Sequence, residues 1–217
     1  MVRNDGAKEA RFLVYKQDLS FQCGQSSIQY TDANSHTHSL GDWIQTNVEE
    51  KLLAPGEEYS LFYTIRVPSE LESTGSYWTM LMIEGADPVR EETNNGIVVG
   101  SKVRYGVQLI ADVGLFESPQ LSFLDAQILN NPANSKYLSA KIQNIGKFSV
   151  PVKINLEVYD ADGNKTKTIE GLSRRIYPTN CNQFDIDLSS LPSGKYEAIL
   201  VADNGKDLFG INVSLDI

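Results

Sequence analysis

The stretch Pro55-Gly56-Glu57-Glu58-Tyr59-Ser60-Leu61-Phe62-Tyr63-Thr64-Ile65-Arg66-Val67, continued by Gly75-Ser76-Tyr77-Trp78-Thr79-Met80-Leu81-Met82-Ile83, decides the fold of this chain. Proline and glycine set a turn, after which Leu61, Tyr63, Ile65 and Val67 recur at the two-residue period of a strand. Gly75-Ser76-Tyr77 then opens a second strand that runs into Leu81 and Ile83. The same order returns later: Pro178, then Phe184, Ile186 and Leu188, then Gly194-Lys195-Tyr196 running into Ile199 and Val201. A strand–turn–strand unit that occurs twice implies two domains of one kind.

A Gly-x-Tyr at this place resembles the tyrosine corner of immunoglobulin-type sandwiches, in which the phenol hydroxyl caps the connection between two strands. The chain is therefore read as all-β, with two tandem immunoglobulin-like β-sandwich domains over residues 1–115 and 119–217. Its 217 residues make room for two domains of about 100 residues each, the usual size of such a sandwich. Apolar content of 41% and charged content of 22% suit ordinary folded cores.

Strand-period runs bounded by Gly, Asn, Asp, Ser and Pro recur along the whole sequence. In the first domain they predict strands over 11–15, 59–67, 77–84 and 97–111. The last is the longest, with Val99, Val103, Tyr105, Val107, Leu109 and Ala111 on one face and Lys102, Arg104 and Gln108 on the other. Residues 86–96, with Glu91-Glu92-Thr93-Asn94-Asn95-Gly96, are expected to form a mobile loop. In the second domain seven strands are expected, over 121–128, 138–144, 152–159, 167–176, 183–188, 196–203 and 209–215.

The net charge is −9, and its distribution is uneven: 16 acidic against 9 basic residues through Phe116, then 12 against 10. An acidic surface repels phosphate, and the basic clusters Arg174-Arg175 and Lys102/Arg104 are too sparse for a nucleic-acid footprint, so nucleic acid and anionic membrane are not expected partners. No run approaches the ~20 apolar residues of a membrane helix. The two cysteines, Cys23 and Cys181, fall in different halves and are expected to be free thiols. Val2-Arg3-Asn4-Asp5-Gly6 reads as the end of one strand and a turn, so a leader and a first strand are expected upstream of Met1, and without that strand an apolar groove is expected to lie open around Phe12 and Val14.

Candidate chemistry is thin. Asp160-Ala161-Asp162-Gly163-Asn164 has the look of a calcium loop, but no distal glutamate follows, and a plain hairpin turn is the better reading. His36 and His38 could offer two imidazoles to a metal, yet no third ligand lies close in sequence. Neither a nucleophile elbow nor a glycine-rich phosphate loop occurs. The reading is a non-enzymatic protein with no metal or cofactor. Trp43, Trp78, Phe62, Tyr63 and Tyr77 are first-domain aromatics, and Trp78 or Trp43 would serve a glycan-binding alternative if exposed.

Several stretches together point to a family. They are Asp42-Trp43-Ile44, Leu53-Ala54-Pro55-Gly56-Glu57, Ile65-Arg66-Val67-Pro68, Gly75-Ser76-Tyr77-Trp78 and Val103-Arg104-Tyr105-Gly106-Val107 in the first half. In the second they are Leu138-Ser139-Ala140-Lys141-Ile142-Gln143-Asn144, Tyr177-Pro178-Thr179 and Leu191-Pro192-Ser193-Gly194-Lys195-Tyr196. The chain resembles bacterial exported tandem-sandwich proteins, namely the WxL-interacting cell-surface proteins and, more distantly, the periplasmic pilus chaperones. The resemblance implies an exported protein, in the periplasm or on the cell surface, that binds another envelope or surface protein. Pilus chaperones grip a subunit's terminal carboxylate with basic residues and lend it a strand; here Arg11, Lys102 and Arg104 are the candidates for the grip. With Tyr105 and Trp78 they make up the expected partner-binding set, centred on the 97–111 strand as a sheet edge.

Overall fold

A computed structural model describes residues 1–21, 23–24, 28–71, 73–86, 90–94 and 97–217. Its ordered elements are strands, with one 3₁₀ turn at Gly41–Trp43 among the described residues. They form two compact units. The first comprises Met1–Leu19, Gln29–Ser73 and Tyr77–Ala111; the second comprises Ser20–Ile28, Thr74–Ser76 and Asp112–Ile217.

The strands of the first half are β1 (Val2–Arg3), β2 (Ala10–Ser20), β3 (Gln29–Asp32), β4 (Ile44–Thr46), β5 (Glu50–Leu53), β6 (Glu58–Tyr59), β7 (Tyr63–Ile65), β8 (Gly75–Gly85), β9 (Arg90–Asn94), β10 (Ile97–Ser101) and β11 (Arg104–Val113). The main sheet runs β11-β8-β2-β3, with β5 also on β2; β1 pairs with β6, β4 with β7 and β9 with β10. From Gly75 through Met82 every residue of β8 is buried, so this strand is covered on both faces and flanked on both edges. Its polar residues survive burial because each is bonded: the Thr79 hydroxyl donates to Gln17 O at 3.1 Å and to Asp18 Oδ1 at 3.0 Å.

Three expectations for this half are corrected. The single strand over 97–111 is two strands, β10 and β11, with a break at Lys102-Val103: β10 leaves to pair with β9 while β11 stays on β8. The loop expected over 86–96 is largely that same hairpin, Asn94 opposite Ile97 and Arg90 opposite Ser101; residues 87–89 and 95–96 lie outside the described residues. An open apolar groove around Phe12 and Val14 was expected from a missing first strand, yet both side chains are buried, and the Phe12 ring packs 6.2 Å from that of Tyr59.

The second unit follows the alternation of its sequence. One sheet is β12 (Leu121–Asn130), β13 (Lys136–Asn144) and β16 (Cys181–Asp187); the other is β15 (Lys165–Ile176), β14 (Val150–Tyr159), β17 (Lys195–Asp203) and β18 (Leu208–Asp216). Val150, Val152, Ile154, Leu156 and Val158 point inward from β14 against Leu138, Ala140, Ile142, Phe184 and Ile186 of the facing sheet. The Asp160–Asn164 segment is a hairpin turn in which the Asp160 carboxylate accepts from the backbone of Asp162 and Asn164.

One device recurs in both units. The Asn144 amide donates to Phe148 O at 2.7 Å and to Ile176 O at 3.0 Å, while its Oδ1 accepts from Gly146 N at 2.9 Å. The Asn4 amide donates to Lys8 O at 2.7 Å and to Leu53 O at 3.0 Å, and its Oδ1 accepts from Gly6 N at 3.0 Å. Backbone bonds repeat too: Thr179 N donates to Asn144 O, as Gly56 N does to Asn4 O, and both donors have left-handed backbone, φ 64° and 74°. The tyrosine corners also close as expected, Tyr77 hydroxyl to Ser73 O at 2.7 Å and Tyr196 hydroxyl to Pro192 O at 3.0 Å.

The expectation of free thiols is wrong. Cys23 and Cys181 form a disulfide with Cα atoms 5.0 Å apart. Cys23 lies in the 20–28 segment, which packs with the second unit, so the bond closes inside that unit.

Asn144→Ala would strand two buried carbonyls and one N–H, and should lower the stability of the second unit by about 2–4 kcal/mol in denaturant unfolding. Tyr196→Phe, at a half-exposed corner, should cost about 0.5–1 kcal/mol. Equal costs for the two variants would show that the asparagine is not the stronger tie.

Candidate partner-binding strand edge

β11 is the end strand of the main sheet, paired to β8 on one side. Along it the apolar row Val103, Tyr105, Val107 and Leu109 changes character: the first three are 41%, 67% and 43% exposed, and Leu109 is buried. An alternating apolar row beside unpaired N–H and C=O groups is the feature an added strand needs, because the backbone supplies hydrogen bonds while alternate side chains enter pockets.

The opposite face of β11 is fastened to the sheet. At Gly106 a Cβ would meet Met80 Cε at 2.6 Å, so the absent side chain lets the strand lie on the methionines of β8. Next to it stands a polar knot around Glu84, itself buried. Its Oε2 accepts from the Tyr15 hydroxyl and from Arg104 Nε, both at 2.7 Å; Arg104 Nη2 is equally close, and Lys102 Nζ lies 3.7 Å from Oε1. The Arg104 guanidinium also covers the Tyr15 ring at 5.8 Å. The hydrogen bond from Tyr15, and then the cations, hold the Glu84 carboxyl below its ordinary range; burial and Glu84 together push the Tyr15 phenol up.

The predicted site residues therefore divide. Tyr105 stands on the exposed row, and Lys102 and Arg104 flank it, but both cations answer Glu84. Arg11 pairs with a different carboxylate, Glu50, at 3.1 Å. Trp78 is 2% exposed, its indole N–H donating to Leu19 O at 2.9 Å, so it cannot face a partner. Trp43 is also buried, its ring 4.4 Å from Tyr77. With both indoles in the core, the glycan platform built on them is ruled out. His36 and His38 stack against Trp78, at 4.5 and 5.8 Å, instead of facing a metal. Burial pushes the His36 imidazole down despite Asp18 at 3.7 Å. Among the described residues no cluster of three His, Cys, Asp or Glu side chains could hold a metal ion. Sequence reasoning missed Glu84 and Tyr15; their signal was a lone acid in an otherwise apolar strand.

No family model and no curated protein matches this chain. Solved structures do. A chain of a chaperone–tip adhesin complex from CFA/I fimbriae biogenesis aligns with a TM-score of 0.51 at 12% identity, covering 98% of this chain and 88% of that one. The class 5 fimbriae chaperone CfaA aligns at 0.48 and 11%, covering 98% and 88%. A chain of the CsuC–CsuE chaperone–tip subunit pre-assembly complex from Acinetobacter baumannii aligns at 0.47 and 15%, covering 97% and 87%. The first shows the fold: all-β, with two tandem immunoglobulin-like sandwiches. These structures are of the pilus-chaperone kind and give nothing for the WxL-interacting proteins.

Glu84→Gln should lower stability by about 1–2 kcal/mol near neutral pH. Because the folded carboxyl is held below its unfolded value, the stabilisation is full above that value and is lost as pH falls through the folded one. The gap between wild type and Glu84→Gln should thus be constant above about pH 5 and close below about pH 4. Denaturant unfolding across that range checks it.

Proposed function

We propose that this chain is a non-enzymatic, exported assembly factor that binds another envelope or cell-surface protein by taking a strand of it along the free edge of β11. The observation that carries the reading is the exposed row Val103, Tyr105 and Val107 on an end strand whose other face is fastened down by Gly106 and the Glu84 knot. The sandwich pair shared with a chaperone–tip adhesin complex supports the same role, since that complex joins a chaperone to a subunit. Export is supported by the Cys23–Cys181 disulfide, because such bonds persist in oxidising compartments. The periplasm or the cell surface suits it equally. The domain division at residues 115–119 belongs to this proposal as well.

The grip on the partner is different from the one first expected. Lys102 and Arg104 are committed to Glu84 and Arg11 to Glu50, so recognition rests on the apolar row and the backbone edge, not on a carboxylate clamp.

A photo-crosslinking residue at Tyr105 should capture one predominant envelope protein in the native host, whereas the same group at Lys206 in the second unit should not. Val107→Asp, a change at an exposed position, should leave the fold intact and reduce the capture by about tenfold or more. Equal capture at both positions, or capture indifferent to Val107→Asp, would sink the edge-strand reading.

A further inference from the structure

The disulfide joins two residues 158 positions apart and ties the turn at Cys23-Gly24, just after β2, to the second unit. Cys181 is the first residue of β16 and points outward from the β12-β13-β16 sheet, because its neighbours Asn182 and Phe184 point inward. Cys23 covers it from outside. Two residues earlier, Phe21 lies over the fully buried Tyr177, ring centroids 6.0 Å apart and planes within 16° of parallel. One residue later, Gly24 closes a cavity of about 100 Å³ against Asp125, Gln127, Ser139, Lys141 and Gln183 of the sheet's outer face. Apart from Leu129 the lining is polar, which gives Gly24 little hydrophobic reason to stay. Two ties to this face among the described residues are the Phe21–Tyr177 ring stack and the covalent bond.

Cys181 is 7% exposed, whereas Cys23 sits half-exposed in a turn. Thiol–disulfide exchange begins at the accessible thiolate, since attack on an incoming disulfide needs an open path to sulfur.

We propose that this chain is a substrate of a thiol–disulfide oxidoreductase, and that its oxidation staples the 20–28 segment onto the second unit, with Cys23 as the entry thiol and Cys181 as the resolving thiol. The Cys23 thiolate attacks the oxidant's disulfide, forming a mixed disulfide and releasing one oxidant sulfur as thiolate. The Cys181 thiolate then attacks Cys23 Sγ and displaces the second oxidant sulfur. The two cysteines lose two protons and two electrons in all, and the oxidant's disulfide becomes a dithiol. The inference stands apart from the β11 reading, because its readouts are thiols and proteolysis, not partner binding.

The full chain secreted into an oxidising compartment should carry no alkylatable thiol without reductant and two after it. Reduction and alkylation should raise protease cleavage within residues 20–28 by about tenfold, and lower the melting temperature by about 5–15 °C. Cys181→Ser should accumulate a mixed disulfide with the oxidant on Cys23, and Cys23→Ser should not. If either variant fails to fold, brief treatment of the folded, reduced wild type with a limiting amount of a thiol-alkylating reagent should label Cys23 before Cys181, as located by mass spectrometry. Two free thiols in the secreted chain, cleavage unchanged by reduction, or an adduct on Cys181 would each overturn the proposal.

Discussion

Each half of this molecule depends on one buried asparagine. Asn144 and Asn4 stand where a strand ends and the chain turns, and their side chains bond both ends of their own turn and one carbonyl of a distant segment. A buried carbonyl left without a donor is costly, so the turn must take the shape that delivers Phe148 O and Ile176 O, or Lys8 O and Leu53 O, to the amide. The backbone of the same asparagine receives the N–H of a left-handed residue, Thr179 or Gly56, just after the turn prolines Pro178 and Pro55. Two chain segments are thereby fixed against each other in each half, 144–148 with 176–179 and 4–8 with 53–56. The sandwich that follows, with Val150 to Val158 alternating inward, fills a frame already set.

In the first unit this frame ties the turn before β2 to the end of β5, which pairs with β2, while the edge of β11 follows from the burial of β8. A strand covered on both faces must be flanked on both sides, and β11 provides one flank. To lie on Met80 and Met82 it gives up a side chain at Gly106; to stay there it ties Arg104 to Glu84. Both ties use one face of β11. The other face is left with Val103, Tyr105 and Val107 toward solvent.

Much of this was readable in the residues. The second unit's strands were legible because each has one inward face, so period-two alternation survives along β13, β14, β16 and β17. The tyrosine corners were legible because Gly-x-Tyr is a local pattern with a local bond. The far end of β2 was not. The strand was expected to end at Tyr15, yet Lys16, Gln17 and Asp18 continue it, and Asp18 is satisfied by Ser35, Ser39 and Thr79 from elsewhere in the fold. The disulfide was invisible for the same reason: its partners are far apart in sequence, and only the packing of the 20–28 segment with the second unit brings them together. The Asn-x-Gly pairs at 4–6 and 144–146 were in plain view, and their equivalence needed only the comparison of the two halves that the prolines and tyrosines had already prompted.

The candidate site was half legible, and the missing half changes its chemistry. An end strand with an apolar row is a hazard, and proteins ordinarily blunt such edges with charge, above all with lysine. In the sequence Lys102 and Arg104 stand where such charge would, and the resemblance to pilus chaperones made them candidates to grip a partner's carboxylate. The structure spends them on Glu84, a buried acid that would be costly without cations beside it. Charge bound to an internal acid is weakened toward a second strand or a free carboxylate, although two cations on one acid leave one positive charge over. Beside Tyr105, among the described residues, an approaching strand meets backbone groups and apolar side chains, next to two half-exposed cations that share one acid. Affinity on such a surface comes from the register of alternate side chains along the row, so the property that would distinguish one partner from another is the spacing of its own apolar residues, not its charge.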